Sequence, residues 1–302
     1  MSSVSEITAS AAEEVVGQPP RRRWLPGGTK QARFNWLLLA LPVLYMLVMY
    51  VYPVSQMLLR SITDPDLSLE NFRTLFTNSG YRRVLFTTIR ISFYVVVLTL
   101  LLGYPVAYLL STLPARTARW LAFLVLLPFW TSVLVRSFAW IVILGDNGLL
   151  NAWFAPLNSD KPFHLLFTEK AVVIGMVHVL LPFMILTLTA TMAQIDHSLV
   201  LAAQTLGASP ARAFLKVYLP LSMPGVASGS MLVFIMGLGY YITPALLGGP
   251  RQIMFANLID RFVNQTFQWG VAAAAAVLLL VISTVLYVVS RRFGRVEGLF
   301  GG

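Results

Sequence analysis

Ala171-Val-Val-Ile-Gly-Met-Val-His-Val-Leu-Leu-Pro-Phe-Met-Ile-Leu-Thr-Leu-Thr-Ala-Thr-Met-Ala-Gln-Ile195 contains no Lys, Arg, Asp or Glu. A helix crossing the hydrocarbon core of a bilayer needs about 20 mostly apolar residues, at about 1.5 Å of rise each. This run is long enough. In lipid an open strand leaves its backbone N–H and C=O groups unpaired, so a run of this kind reads as a helix.

Working outward, further uncharged runs occupy 34–59, 91–115, 120–135, 217–250 and 262–290. The 120–135 run is short, and it spans only if it continues past Arg136 to Leu144. The predicted fold is all-α, a polytopic membrane protein with six transmembrane helices at about 36–59, 89–111, 119–144, 171–193, 225–247 and 269–290. Residues 1–33 are expected to form a disordered tail, 34–290 the transmembrane domain and 291–302 a second tail.

Composition agrees with a lipid environment. Of 302 residues, 57% are hydrophobic and 11% charged. A soluble domain carries about 25% charged residues to solvate its surface. The absence of cysteine excludes thiol catalysis, cysteine zinc sites and iron–sulfur clusters. The net charge of +10 raises nucleic acid as a partner, but with so few charges it reads better as loops biased by topology.

With the N-terminus inside, the cytoplasmic segments hold twelve Lys and Arg: Arg21, Arg22, Arg23, Lys30, Arg33, Arg116, Arg119, Arg212, Lys216, Arg291, Arg292 and Arg295. The other side holds nine: Arg60, Arg73, Arg82, Arg83, Arg90, Lys161, Lys170, Arg251 and Arg261. Both termini are therefore expected to be cytoplasmic.

The chain shows no energy source of its own. A P-loop needs glycines that cradle phosphate followed by lysine, and no Gly-Lys pair occurs. His164, His178 and His197 are isolated, without metal-ligand spacing, and His178 reads as a packed, hydrogen-bonded residue. No carboxylate lies inside a span, where ion-coupled carriers place them. Transporter-like helices without an engine imply an external motor.

Residues 196–220 carry the most specific pattern. Leu199, Ala203 and Leu206 make an apolar stripe on a short helix, and Gly207 fits its C′ position. Ser209 is a candidate N-cap and Pro210 an N1 residue for a second helix, which Pro220 is expected to end. Two short helices joined by a sharp turn make a rigid knob. This segment resembles the EAA loop of binding-protein-dependent ABC importer permeases: Ala202-Ala203, then Gly207 after three residues, then Val217-Tyr-Leu-Pro220. Leu201 stands where that pattern has glutamate.

The resemblance implies that Leu201, Ala202, Ala203, Gly207, Ser209, Pro210 and Arg212 couple the chain to an ATPase subunit. Thr88, Gly103-Tyr-Pro-Val-Ala-Tyr108, Pro128-Phe-Trp130, Arg136-Ser-Phe-Ala-Trp140, Gly145-Asp-Asn-Gly-Leu-Leu-Asn151 and Tyr241-Ile-Thr-Pro-Ala-Leu-Leu-Gly-Gly-Pro250 resemble the polyamine (spermidine/putrescine) permeases of the first-subunit branch. What that implies is a multi-pass protein of the bacterial inner membrane, surrounded by membrane lipid. Its expected partners are an ATPase dimer, a second, paralogous permease and a periplasmic solute-binding protein. No cofactor is expected on this chain, with ATP and magnesium held by the ATPase.

The residues also suggest where a pathway runs. Gly225-x-x-x-Gly229 permits close helix approach. Gly237, Gly239 and Pro244 interrupt the fifth span beside Tyr240, Tyr241 and Thr243. Broken helices persist in membranes where protein or a wet cavity receives the freed backbone groups. Trp130, Trp140, Tyr240 and Tyr241 are candidates for cation–π contacts or for an interfacial aromatic belt. Arg136 is unexpected beside a cationic solute: it snorkels outward, or pairs with Asp146 or a partner's acid. Phe255, Leu258, Ile259 and Phe262 mark an amphipathic helix on the outer surface. Asp146, Asp260 and Arg261 are the candidates there for receiving a binding protein. The alternatives are a stand-alone channel or secondary carrier, a membrane-embedded enzyme, or the same importer class with an opine or other amino-acid derivative as solute.

Overall fold

The computed structural model describes residues 30–64, 66–154 and 163–296. Most of the expected N-terminal tail, Lys161 and the last six residues fall outside that set. Every regular element among the described residues is helical. In chain order these are α1 (Lys30–Met46), a π turn (Leu47–Val51), α2 (Tyr52–Thr63), α3 (Glu70–Thr77), α4 (Ser79–Thr112), α5 (Ala115–Leu126), a 3-10 turn (Leu127–Trp130), α6 (Val133–Leu144) and α7 (Leu149–Phe154). Then come α8 (Glu169–Met192), α9 (His197–Thr205), α10 (Pro210–Ala213), a π turn (Phe214–Tyr218), α11 (Leu219–Leu238), α12 (Ile242–Leu247), α13 (Phe255–Asn264) and α14 (Trp269–Val296). Among the described residues, six stretches are long and apolar enough to cross a membrane: Leu38–Thr63, Ser79–Thr112, Val133–Trp153, Glu169–Met192, Pro210–Leu238 and Trp269–Val289.

The chain divides into two compact units, Met1–Ser55 and Gln56–Gly302. In the first, α1 carries Pro42 in its interior and passes into the π turn at Leu47. In the second, α4, α8 and α11 pack on one another, and α8 is the most buried of the spans. Its sequence is apolar on all sides, as a helix surrounded by others requires. Small residues set the approach. A Cβ at Gly225 would lie 2.8 Å from Cβ of Thr191, and one at Gly229 would lie 2.9 Å from the sulfur of Met184. Gly225-x-x-x-Gly229 is thus the strip of α11 that lies against α8. At the start of α4 the Asn78 side chain accepts from the N–H of Gly80, a capping bond.

Three expectations about continuity need correction. The third span is not one helix over 119–144: it breaks between the 3-10 turn and α6, where Thr131 is extended. Pro128 has no N–H to continue the ladder, and the hydroxyl and N–H of Thr131 both turn back to the carbonyl of Pro128. The fifth span stops earlier than 247: α11 ends at Leu238, and Gly239 to Tyr241 separate it from α12. Pro220, in turn, does not end the helix begun at Pro210. A π turn over Phe214–Tyr218 supplies the wider loop that accommodates a residue without an N–H, and α10 runs through it into α11.

The amphipathic helix appears as α13, but its apolar face is turned onto protein. Phe255, Leu258 and Phe262 pack with Leu75 of α3 and with Ala272, Ala274 and Ala275 of α14. The run of alanines in α14 leaves room for these large rings.

Candidate functional site

Two places bring the sequence candidates together. The first is where the breaks of the third and fifth spans meet. Helices α6 and α12 pack on each other and on α8. Gly175 of α8 has no room for a Cβ, which would lie 2.5 Å from Leu247 and 2.6 Å from Thr243. Ser137 and Thr243 hydroxyls are 3.4 Å apart across the α6–α12 contact, and Pro244 is buried in α12. Asn257 donates from its side-chain amide to the carbonyl of Tyr241 at 2.9 Å, satisfying a backbone acceptor that the break exposes.

A cavity of about 440 Å³ opens at this junction. Phe129, Thr131, Ser132, Arg136, Phe183 and Tyr240 are among its lining residues. Among the described residues Arg136 is its one charged lining residue, and the buried Arg136 Nε has no hydrogen-bond partner. Trp140 lies one turn further along α6, and its indole N–H donates to Nδ1 of His178 at 3.1 Å. His178 is therefore a packed, hydrogen-bonded side chain.

The remaining candidates lie elsewhere. Trp130 is 72% exposed, with its ring 5.7 Å from that of Phe123, and is not a lining residue of the cavity. Tyr241 is directed to Asp260, which also accepts from Asn264 at 2.6 Å. Asp146 does not pair with Arg136: it faces His164, whose Nδ1 is 2.9 Å away. Arg261 is exposed. Sequence reasoning missed Phe129, Thr131, Ser132 and Phe183. The only available signal was the Thr-Ser pair after Pro128-Phe-Trp130, polar residues where a span should continue.

The second place is the 196–220 segment. Asp196 caps α9 by accepting from the Ser198 N–H at 2.9 Å, and the same bond holds its carboxyl below the ordinary carboxylate range. At the other end the N–H of Ala208 reaches the carbonyl of Ala203 at 3.0 Å, and that of Gly207 reaches Gln204 at 2.9 Å. These are the two bonds of a Schellman motif, with Gly207 at φ +92 in the position that requires a left-handed backbone. Ser209 then caps the next helix by accepting from the N–H of Arg212 at 3.4 Å, with Pro210 at its first position.

Nothing in α9 is buried. Leu201 is 61% and Leu206 88% exposed, while Ala202 is open and Ala203 half-covered. The turn is nevertheless anchored. Tyr218 is buried, its hydroxyl 3.1 Å from that of Ser111, and the Tyr108, Phe214 and His197 rings surround it. Tyr104 hydrogen-bonds Ser222 at 2.8 Å. An aromatic clamp thus fixes the base of an exposed apolar helix to the end of α4, and Gly103-Tyr-Pro-Val-Ala-Tyr108 supplies two of its rings.

Against known proteins, residues 31–295 match the family model of the binding-protein-dependent transport system inner membrane component. The chain is 34% identical over 260 residues to the spermidine/putrescine transport system permease protein PotB of Haemophilus influenzae, covering 86% of this chain and 90% of that protein. It is 30% identical over 218 residues to the molybdenum transport system permease protein ModB of Mycobacterium bovis, covering 71% of this chain and 80% of that one. A chain from a bacterial ABC transporter that imports the acidic polysaccharide alginate superposes with a TM-score of 0.68 at 20% identity, over 88% of this chain and 97% of its own. That last likeness concerns the fold alone.

Proposed function

This chain belongs to the binding-protein-dependent transport system inner membrane components, and from that premise we propose that it lines the solute pathway of an ATP-driven importer of polyamines such as spermidine and putrescine. The observation that carries the coupling half of this reading is α9: a doubly capped helix, anchored by an aromatic clamp, that presents Leu201, Ala202 and Leu206 to solvent. Free apolar surface on a stiff support is what an ATPase groove requires. Leu201, Ala202, Ala203, Gly207, Ser209, Pro210 and Arg212 form this contact in the proposal, with ATP and magnesium on an ATPase dimer. The excess of Lys and Arg over 196–220 and the termini favours a cytoplasmic position for this end. A second permease completes the pathway, and a periplasmic binding protein docks at the other end, near Asp146, Asp260 and Arg261.

The polyamine assignment rests on the relatives of the first-subunit type. Arg136, Trp140, Tyr240, Tyr241, Thr243 and Pro244 are the proposed pathway and gate, with Trp130 at its margin. One observation favours a second solute class: Arg136 stands in the cavity with no acid among its lining residues. A carboxylate-bearing amine, such as an opine or amino-acid derivative, suits that wall better than a bare polycation.

Reconstitution of the chain with its ATPase, second permease and binding protein in liposomes decides between them. ATP-dependent accumulation of labelled spermidine, lost when the binding protein is omitted, is the expected result. Accumulation of a carboxylated amine alone would shift the assignment to the second class. Flux through the chain without ATPase or binding protein would overturn both.

A further inference from the structure

We propose that the cleft between α4 and α8 binds one anionic phospholipid, with its headgroup at the N-terminal end of α4 and an acyl chain along the two helices. Two cavities meet there. The first, about 510 Å³, is lined by Arg83, Thr87 and Arg90 of α4, Glu169 of α8 and Arg251. The second, about 580 Å³, is lined by Tyr94, Val97 and Leu98 of α4 and by Glu169, Lys170, Val173 and Ile174 of α8. Glu169 lines both, so the two cavities adjoin at the start of α8, the first rich in arginine and the second mainly apolar.

Helical spacing puts these residues on one stripe: Arg83, Thr87, Arg90, Tyr94, Val97 and Leu98 follow each other at intervals of one to four residues. Fifteen residues separate Arg83 from Leu98, about 22 Å along a helix at about 1.5 Å per residue. Half of a bilayer with its headgroup layer is about 20–22 Å thick. The cleft therefore has the length of one leaflet, with polarity running in the right direction.

Charge fixes the headgroup. Arg83, Arg90, Arg251 and Lys170 line the two cavities, and among the described lining residues Glu169, held by Arg90 at 2.5 Å, is the one carboxylate. Among the described residues Arg83 and Arg251 form no ion pair, and the buried Nε of Arg90 has no acceptor. A phosphodiester supplies acceptors for these donors and offsets the excess positive charge. With both termini cytoplasmic, this is the outer leaflet. There the positive-inside tendency disfavours such a cluster, so a ligand that offsets it is a physical reason for its presence.

The test uses the full chain, purified and placed in nanodiscs containing equimolar dioleoyl phosphatidylglycerol and dioleoyl phosphatidylcholine, with retained lipid counted by native mass spectrometry. One phosphatidylglycerol retained in preference to phosphatidylcholine is expected. Arg83→Gln with Arg251→Gln lowers that preference by roughly 25-fold, about fivefold for each arginine at a membrane surface. Val97→Trp, which fills the apolar half and leaves every charge, lowers retention of both lipids. Arg73→Gln with Arg82→Gln removes the same charge from residues that line neither cavity and leaves the preference intact, which controls for folding and net charge. Equal retention of the two lipids by the unmodified chain overturns the proposal, as does an equal loss in the control variant. Unchanged lipid preference in Arg83→Gln with Arg251→Gln overturns it as well.

Discussion

The indole N–H of Trp140 donates to Nδ1 of His178 at 3.1 Å, joining the second half of the broken third span to the most buried span. The two rings meet edge-on with centroids 5.8 Å apart. Interhelical side-chain hydrogen bonds in membranes contribute about 0.5–1.5 kcal/mol. In a double-mutant cycle with Trp140→Phe and His178→Phe, thermal melting in detergent should show a coupling of about 1 kcal/mol. Additive single effects would mean that the bond does not hold the helices together.

Glycine positions separate close packing from freedom at a break. Gly225→Val places a side chain 2.8 Å from Thr191 and should cost about 1–3 kcal/mol of stability, read as a lower melting temperature. At Gly239, between α11 and α12, φ is −92 and a Cβ would have no neighbour within 4 Å among the described residues. Gly239→Ala should therefore melt within about 0.5 kcal/mol of the unmodified chain. A large loss at Gly239 would show that the break depends on glycine itself.

Gly207→Trp tests coupling. A Cβ at Gly207 would have no neighbour within 4 Å among the described residues, and the φ of +92 places the strain of a side chain in the local turn. Membrane insertion and the melting transition of the spans should persist while ATP-dependent uptake is abolished. Normal uptake by this variant would remove the 196–220 segment from the ATPase contact.

Asp196 gives a pH dependence of defined sign. The Asp196 carboxyl is held below its ordinary value of 3.8 chiefly by accepting from Ser198 in the folded loop. A depressed folded value contributes stability above the unfolded one, which is lost as pH falls through the folded one. The protection of the first-turn amides of α9, taken relative to the intrinsic exchange rate at each pH, should be flat around neutrality and fall only in acid below that ordinary value. In Asp196→Ala that protection should be low at every pH. Equal acid sensitivity in that variant would assign the transition to another group.

How far the sequence carries can be read from its prolines. Lipid leaves a membrane chain few options, so the uncharged runs foretold the helices well. Pro42, Pro105, Pro182 and Pro224 sit inside continuous helices, whereas Pro128 accompanies a break. Hydropathy does not distinguish these cases, because neighbouring side chains decide which freed carbonyl is satisfied. Beyond Arg136 and Tyr240 themselves, the cavity therefore had only the polar Thr131-Ser132 pair as a signature. The turn at Gly207 was legible because its capping is local: Gly207, Ser209 and Pro210 each act within a few residues, while the Asp196 cap came only from the structure. The aromatic clamp was not, since Tyr108 and Tyr218 meet only through the packing of α4 against the loop.

The chain contains no cysteine, so a single introduced thiol reports its position without background. The most direct measurement is photo-cross-linking to the ATPase in the assembled transporter from a benzophenone-maleimide label on Leu201→Cys, set beside the same label on Phe267→Cys. Leu201 and Phe267 are both exposed, Leu201 on α9 and Phe267 in the turn before α14. Capture of the ATPase at position 201 and none at 267 is the expected result. Capture at 267 with none at 201 would contradict both the ATPase contact and the cytoplasmic placement of that end.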